Sequence, residues 1–208
     1  MYNQINADTL TKAGQFALSD IQLISYQSSD GGSEPKKVSV RSLVLEINIY
    51  EDIFSKGLSG NIVLLDGQNL TNHLPLTGFE RIEFKLNTPG IAKGFDFTAT
   101  TGHPMYIYKI SGRQEATPRT QMYVLHFASK EILTNETKKI YRTMSGTIDD
   151  MVLDIVRTDL ESNKTLILEE TKGIRKYVPV GERPFDFIEG LSKSAESARY
   201  NNSGMYFY

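Results

Sequence analysis

The chain has 208 residues, a formal net charge of −2 and no cysteine. That length suits one large or two modest domains, and the lack of cysteine excludes disulfides, thiolate catalysis and cysteine-based zinc sites, which fits assembly in a reducing cytoplasm. Charge is even along the chain, with 11 basic and 12 acidic residues in 1–128 and 12 and 13 in 129–208, so no Lys/Arg tail exists to grip phosphates and strong generic nucleic-acid binding is not expected.

The opening MYNQINADTLTKAGQ has neither a basic n-region nor an apolar h-region, so it is not a secretory signal. No apolar run approaches the ~18–20 residues that span a bilayer, and stable membrane insertion is not expected. Residues 1–17 read as a polar arm, ordered by a partner. The stretch 19–27 then carries Ile21, Leu23, Ile24 and Tyr26, and the turn-rich SSDGGSEP follows at 28–35. Residues 38–50 predict one long strand. Val38 and Val40 lie on one parity and Leu43, Leu45, Ile47 and Ile49 on the other, which implies a bend near Arg41–Ser42 of the kind that re-aims a strand in a barrel. Glu46 and Asn48 share the opposite face with Val44 and Tyr50.

A shorter apolar strand at 60–65 ends in Asp66-Gly67, and 68–74 can form one helical turn. Residues 78–86 alternate cleanly, with Ile82, Phe84 and Leu86 facing one way and Glu83 and Lys85 the other, until Asn87-Thr-Pro-Gly90 stops them. A long hairpin loop is predicted at 88–103, then a strand pair at 105–111 and 121–128 joined by the polar GRQEATPR.

Past residue 128 the period changes. Thr147 reads as an N-cap with Asp150 at N3, a short-chain variant of the capping box. Ile148, Met151, Val152, Ile155 and Val156 give a helical stripe, and Asp149, Asp150 and Asp154 crowd the end where the macrodipole favours negative charge. Residues 165–168 predict a short strand. Pro184 suits the first turn of a second helix carrying Ile188, Leu191, Ala195 and Ala198. Residues 205–208 read as the start of a strand that either pairs back onto 165–168 or opens the continuation of a longer polypeptide. The fold class expected is α+β, mainly β: an antiparallel β-barrel or sandwich over 18–130, then a smaller α+β domain over 131–208.

No constellation for catalysis emerges. His73, His103 and His126 lie outside helical reach of one another, and no HExxH, nucleophile elbow, GxGxxG or Walker loop occurs. Asp149/Asp150 and Glu169/Glu170 are neighbours that point apart, whereas a glycosidase needs two carboxylates facing across a cleft. DGQN at 66–69 echoes a calcium loop without the remaining ligands. No catalytic residue, metal or cofactor is predicted.

The run LVLEINIYEDIFSKGLSGNIVLLDGQNLTNHLPLTGFERIEFKLNTPG at 43–90 resembles the first tube-type domain of phage baseplate hub proteins of the T-even kind. The shared shape is a long strand ending in the aromatic-acidic turn Tyr50-Glu51-Asp52-Ile53-Phe54, then Ser59-Gly60, a strand closed by Asp66-Gly67, Asn69-Leu70, Leu74-Pro75, and Gly78 opening an acidic strand. Arg183-Pro184-Phe185-Asp186-Phe187-Ile188 looks like the helix of the next hub domain.

The resemblance implies a structural, non-enzymatic virion protein assembled in the host cytoplasm. Such hubs place two tube-type domains per chain into a homotrimer, so that six domains form a pseudo-sixfold ring continuing the tail tube. The central spike sits on one side and tube or tube-initiator proteins on the other, and DNA passes through the lumen without specific binding. Only one tube-type domain fits in these residues; a second would follow Tyr208, and 131–208 would be an incomplete hub insertion domain. On this reading Tyr50, Glu51, Asp52, Ile53, Phe54, Asn69 and Leu70 are candidate subunit or partner contacts, and Glu46, Asn48, Glu83 and Lys85 are candidate lumen-facing residues. The competing expectation is a carbohydrate- or receptor-binding tail module using Tyr106, Tyr108, Tyr123 and Tyr141 as a stacking platform, although strand alternation buries about half of them. A peptidoglycan hydrolase lacks an acid and a nucleophile here.

Overall fold

The computed structural model describes residues 16–25, 35–74, 76–89, 94–200, Met205 and Phe207. The arm up to residue 15, the turn-rich stretch at 28–34, the loop residues 90–93 and half of the predicted C-terminal strand lie outside them. The chain divides into two compact units, one formed by residues up to Ile49 with Ser59–Ala128, the other by Tyr50–Leu58 with Ser129–Tyr208.

The first unit is built from β1 (Ala17–Ile24), β2 (Lys37–Ser39), β3 (Val44–Tyr50), β4 (Ser59–Asp66), α1 (Leu70–His73), β5 (Arg81–Asn87), β6 (Phe95–Asp96), β7 (Met105–Thr117) and β8 (Thr120–Ser129). The strands join in the order β2-β1-β5-β7-β8-β4-β3, with β6 added beside β5. The registers resolved for β1–β2, β1–β5, β5–β6, β5–β7 and β4–β8 are all antiparallel.

That order forces the sheet to curl. Its two edge strands, β2 and β3, are consecutive in the chain. A flat path of this many strands would hold its edges about 29 Å apart at ~4.8 Å per strand, whereas the link from Ser39 to Val44 reaches about 18 Å at full stretch. The corner is pinned on both sides. Val40 N donates to Ile21 O of β1 (3.2 Å), Leu43 N closes a turn onto Val40 O (2.9 Å), and Leu65 N of β4 donates to Leu43 O (2.8 Å). The parity switch near Arg41–Ser42 is therefore a full break between two strands at the barrel corner, sharper than a bend within one strand.

Inside the curl lie Ile21, Leu23, Ile62, Leu64, Ile82, Phe84, Ile107, Tyr123, Leu125 and Phe127, each essentially buried. Burial of each such side chain contributes about 1.5–3 kcal/mol before entropy is charged against it. Phe84 packs edge-on to Phe127 with centroids 5.7 Å apart and tilts against Phe97 at 5.0 Å. The β7–β8 hairpin runs further than its apolar content indicates. GRQEATPR was expected to be a loop, but β7 continues through it to Thr117 and leaves Pro118-Arg119 as the turn. Two strands that pair with each other need no buried face, so this polar arm carries no alternation signal. The 88–103 stretch likewise contains β6 and a single 3₁₀ turn, Ala99–Thr101.

The second unit contains α2 (Lys130–Thr137), β9 (Met144–Gly146), α3 (Ile148–Asp154), a π turn (Ile155–Asp159), β10 (Arg175–Tyr177) and α4 (Pro184–Lys193), with β9 and β10 paired antiparallel. Met151, Ile155 and Leu160 pack with Phe185, Ile188 and Leu191 in one core cluster. The predicted cap is present: Thr147 Oγ1 accepts from Asp150 N (3.4 Å) and donates to the Asp150 carboxylate (2.9 Å). Pro184 opens α4 as expected.

Two expectations change here, and one helix was not foreseen. Residues 165–168 join no ladder, and Ile167 stands 98% exposed; β-propensity without a neighbouring strand does not make a strand. Ala195 and Ala198 both lie beyond the end of α4 at Lys193, Ala195 buried and Ala198 exposed. Helix α2 had no apolar stripe to reveal it. Polar side chains hold it instead: Glu131 accepts from Ser162 (2.6 Å) and Lys164 (2.7 Å), and Asn135 Oδ1 accepts from Phe185 N (2.8 Å).

Candidate functional site

Chemistry-bearing side chains of the first unit gather on the face of β7, β8, β4 and β3 that points away from the core. In β4 every second residue is buried, so Ser59, Asn61, Val63 and Leu65 take the other face. In β8 the same face carries Met122, Val124 and His126. A polar row crosses it. Ser111 Oγ and His126 Nε2 lie 2.7 Å apart. His126 stands directly opposite Asn61 in the β4–β8 ladder, a spacing at which side chains touch. Asn48 Nδ2 then donates to Asn61 Oδ1 (3.0 Å) and to Glu46 Oε1 (2.8 Å). Burial lowers the His126 pKa from 6.5, and the Lys109 ammonium lowers it further, so the row is near neutral at pH 7 apart from Glu46.

Glu46 and Asn48, two of the expected lumen-facing residues, are thus brought together with His126, read from the sequence only as an isolated histidine, and with Asn61 and Ser111, which the sequence did not single out. The signal available was the polar parity of β4 and β8 against an otherwise apolar run. Glu83 and Lys85 are not part of this row. Lys85 pairs with Asp96 of β6 at 3.4 Å. Glu83 is 6% exposed, and its Oε1 is buried without a hydrogen bond, 3.8 Å from the Arg81 guanidinium. A buried carboxylate cannot line an open channel in this arrangement.

The candidate contact residues also separate. Ile53 and Phe54 are 64% and 77% exposed, and Glu51 and Asp52 are exposed beside them. Asp52 Oδ1 accepts from Phe54 N (2.9 Å), and Ser55 N closes onto Asp52 O (2.9 Å), so a tight turn presents the two apolar side chains. Tyr50 is half-exposed at the end of β3. Asn69 is exposed in a left-handed conformation with φ 56°, but Leu70 is 2% exposed and serves the core rather than a surface.

The DGQN echo of a calcium loop has a structural explanation. The buried Asp66 carboxylate accepts from Gln68 N (2.8 Å), Leu70 N (2.7 Å) and Tyr123 Oη (3.1 Å). Its lone pairs hold the turn after β4, and burial together with this carboxylate raises the Tyr123 pKa. Glu80 does the same before β5, accepting from Thr77 N, Thr77 Oγ1 and Gly78 N. Among the described residues, no cluster of three His, Asp or Glu is placed to hold a metal ion, and no helix is long and apolar enough to cross a membrane.

Burial removes Tyr123 from the expected tyrosine platform. Tyr123 is fully buried, Tyr108 is half-exposed beside His126, and Tyr141 belongs to the second unit. That unit holds a cavity of about 470 Å³ lined by Val152, Ile167, Leu168, Ile188 and Phe207 among others. The polar groups on its wall bond one another: Thr171 donates to Asp149 (2.5 Å) and Ser197 to Glu169 (2.5 Å). Burial pushes the Asp149 pKa up, but hydrogen bonds from Thr171 and Thr147 outweigh it and hold the carboxyl below its ordinary value. Neither pair offers a free acid facing a free base.

No protein-family model matches the chain, and no curated protein does. A solved structure with a similar backbone is that of the E. coli c3393 protein, a component of the type VI secretion system that exhibits structural similarity to the T4 bacteriophage tail proteins gp27 and gp5. The identity is 10% and the TM-score 0.47, over 89% of this chain. The chain spans 46% of that protein's length.

Proposed function

We propose that this chain is a structural, non-enzymatic module of a phage-type tail baseplate hub, which assembles with copies of itself into a ring continuing the tail tube. The observation that carries this reading is the curled sheet left open along β2 and β3: among the described residues, each has a strand partner on one side only. Natural edge strands are usually blunted by charge, proline or a covering element. β3 instead presents Leu45 at 50% exposure and runs into the exposed Ile53–Phe54 turn. Such an edge suits completion by a neighbouring subunit. The sequence resemblance at 43–90 and 183–188 points the same way.

The face of β7, β8, β4 and β3 suits the channel wall. Its positions on β4 and β8 carry no charge: Ser59, Asn61, Val63, Leu65, Met122, Val124 and His126. DNA moving past a wall is retarded by lysines and arginines that displace its counterions, and an amide- and imidazole-lined row with the Lys109 ammonium close to His126 offers few such grips. On this reading the ring is a homotrimer of pseudo-sixfold form, its partners are a central spike and tube or tube-initiator proteins, and its place is the virion baseplate.

The test is assembly. Sedimentation and electron microscopy of the chain at rising concentration should show rings or higher oligomers. Leu45→Lys should abolish them while leaving the fold intact. A well-folded wild-type monomer at high concentration would overturn the ring role.

A further inference from the structure

We propose that Arg142 is a latch that holds the end of α3 in a widened helical register, and that releasing it lets the turn relax and withdraws Leu160 from the core of the second unit. The inference is independent of the ring role. Its basis is a single guanidinium bound to two carboxylates five residues apart. Arg142 Nη1 donates to both Asp159 oxygens (2.6 Å each), and Nη2 donates to Asp154 Oδ2 (2.6 Å). In an α-helix of 3.6 residues per turn, positions five apart point about 140° away from each other, so one planar fork does not reach both. A turn closed by i→i+5 bonds takes about 4.4 residues, which brings the same two positions to within about 50°.

The backbone between the two aspartates is widened in this way. Leu160 N donates to Ile155 O (3.0 Å), an i→i+5 bond, and beyond the turn Ser162 N reaches six residues back to Val156 O (3.0 Å). Thr158 Oγ1 adds a bond to Asp154 Oδ1 (2.9 Å), and Glu161, at φ 52°, ends the turn. The two-carboxylate fork therefore needs the wide register, and on this proposal it holds that register in turn. The placement of the next residues depends on that register. Leu160 is 1% exposed in the core, and Ser162 is 3% exposed and bonded to Glu131. Removing the extra residue's worth of arc rotates everything after it by about 100°, which points Leu160 away from Ile188 and Leu191.

The experiment is amide hydrogen exchange on the full chain, comparing the wild type with Arg142→Lys, which keeps the charge but loses the fork, and with Arg142→Gln. Exchange at Leu160 and Ser162 should accelerate by about tenfold or more, with protection in α4 unchanged. No change at Leu160 and Ser162, or an equal loss through α3 and α4, would overturn the latch.

Discussion

β4 and β3 lie side by side in one sheet and carry similar apolar runs, Ile62-Val63-Leu64-Leu65 and Leu45-Glu46-Ile47-Asn48-Ile49. In β4 the burial alternates strictly, with Ile62 and Leu64 fully enclosed. In β3 the alternation is visible in the residue types but not in the burial: Leu45 is half-exposed, and Ile47 and Ile49 are only partly covered. The difference lies in the neighbours. β4 has β8 on one side and β3 on the other, whereas among the described residues β3 has β4 alone. An alternating pattern says which side chains can face a core; a second neighbour decides whether they do.

The largest test of this contrast is truncation at both strands. Leu64→Ala should lower stability by about 3–5 kcal/mol in urea unfolding, whereas Leu45→Ala should change it by under about 0.5 kcal/mol. A comparable loss at Leu45 would erase the distinction. The junction between the strands is sharpened by Gly60. A Cβ there would lie 2.3 Å from Asn48 O and 2.5 Å from the Phe127 ring, so Gly60→Ala should force β3 away and cost about 1–3 kcal/mol. Tyr123→Phe should cost about 1 kcal/mol, because its hydroxyl is one of three donors on the buried Asp66 carboxylate.

The smallest expected effect concerns the loop after β3. Lys56 pairs with Glu189 of α4. The hydrogen bond from the Lys56 ammonium is the main cause, and that from Lys193 the next, holding the Glu189 carboxyl down from 4.5 to about 2. A carboxyl lowered in the folded state contributes stability above its ordinary pKa and loses it as pH falls through the folded one. A shallow decline in melting temperature between pH 4.5 and pH 2 should therefore be flatter in Glu189→Gln. An identical slope in both proteins would show that the pair leaves the loop unanchored.

Much of the candidate site was legible only in part. Glu46 and Asn48 stood out because they interrupt an apolar run, and both join the polar row. Asn61, His126 and Ser111 were invisible as a group because they sit on three strands far apart in sequence. Glu83 carried the same alternation signal as Glu46, but only the three-dimensional neighbourhood shows that it is buried. Asn69 and Leu70 belong to a turn organised by Asp66 rather than to a uniform surface patch.

Taken alone, the amino-acid order settled the strand-rich first half, a change of direction near Arg41–Ser42, the Thr147 cap and the Pro184 helix start, because each rests on bonds or packing within a few residues. It also settled that no local catalytic motif is present. Tertiary structure alone decided that β2 and β3 become the two edges of one curled sheet, that 165–168 stays unpaired, and that Arg142 reaches two aspartates across a widened turn. Pairing, burial and ion-pair geometry depend on distances between residues remote in the chain, and periodicity carries no information about those.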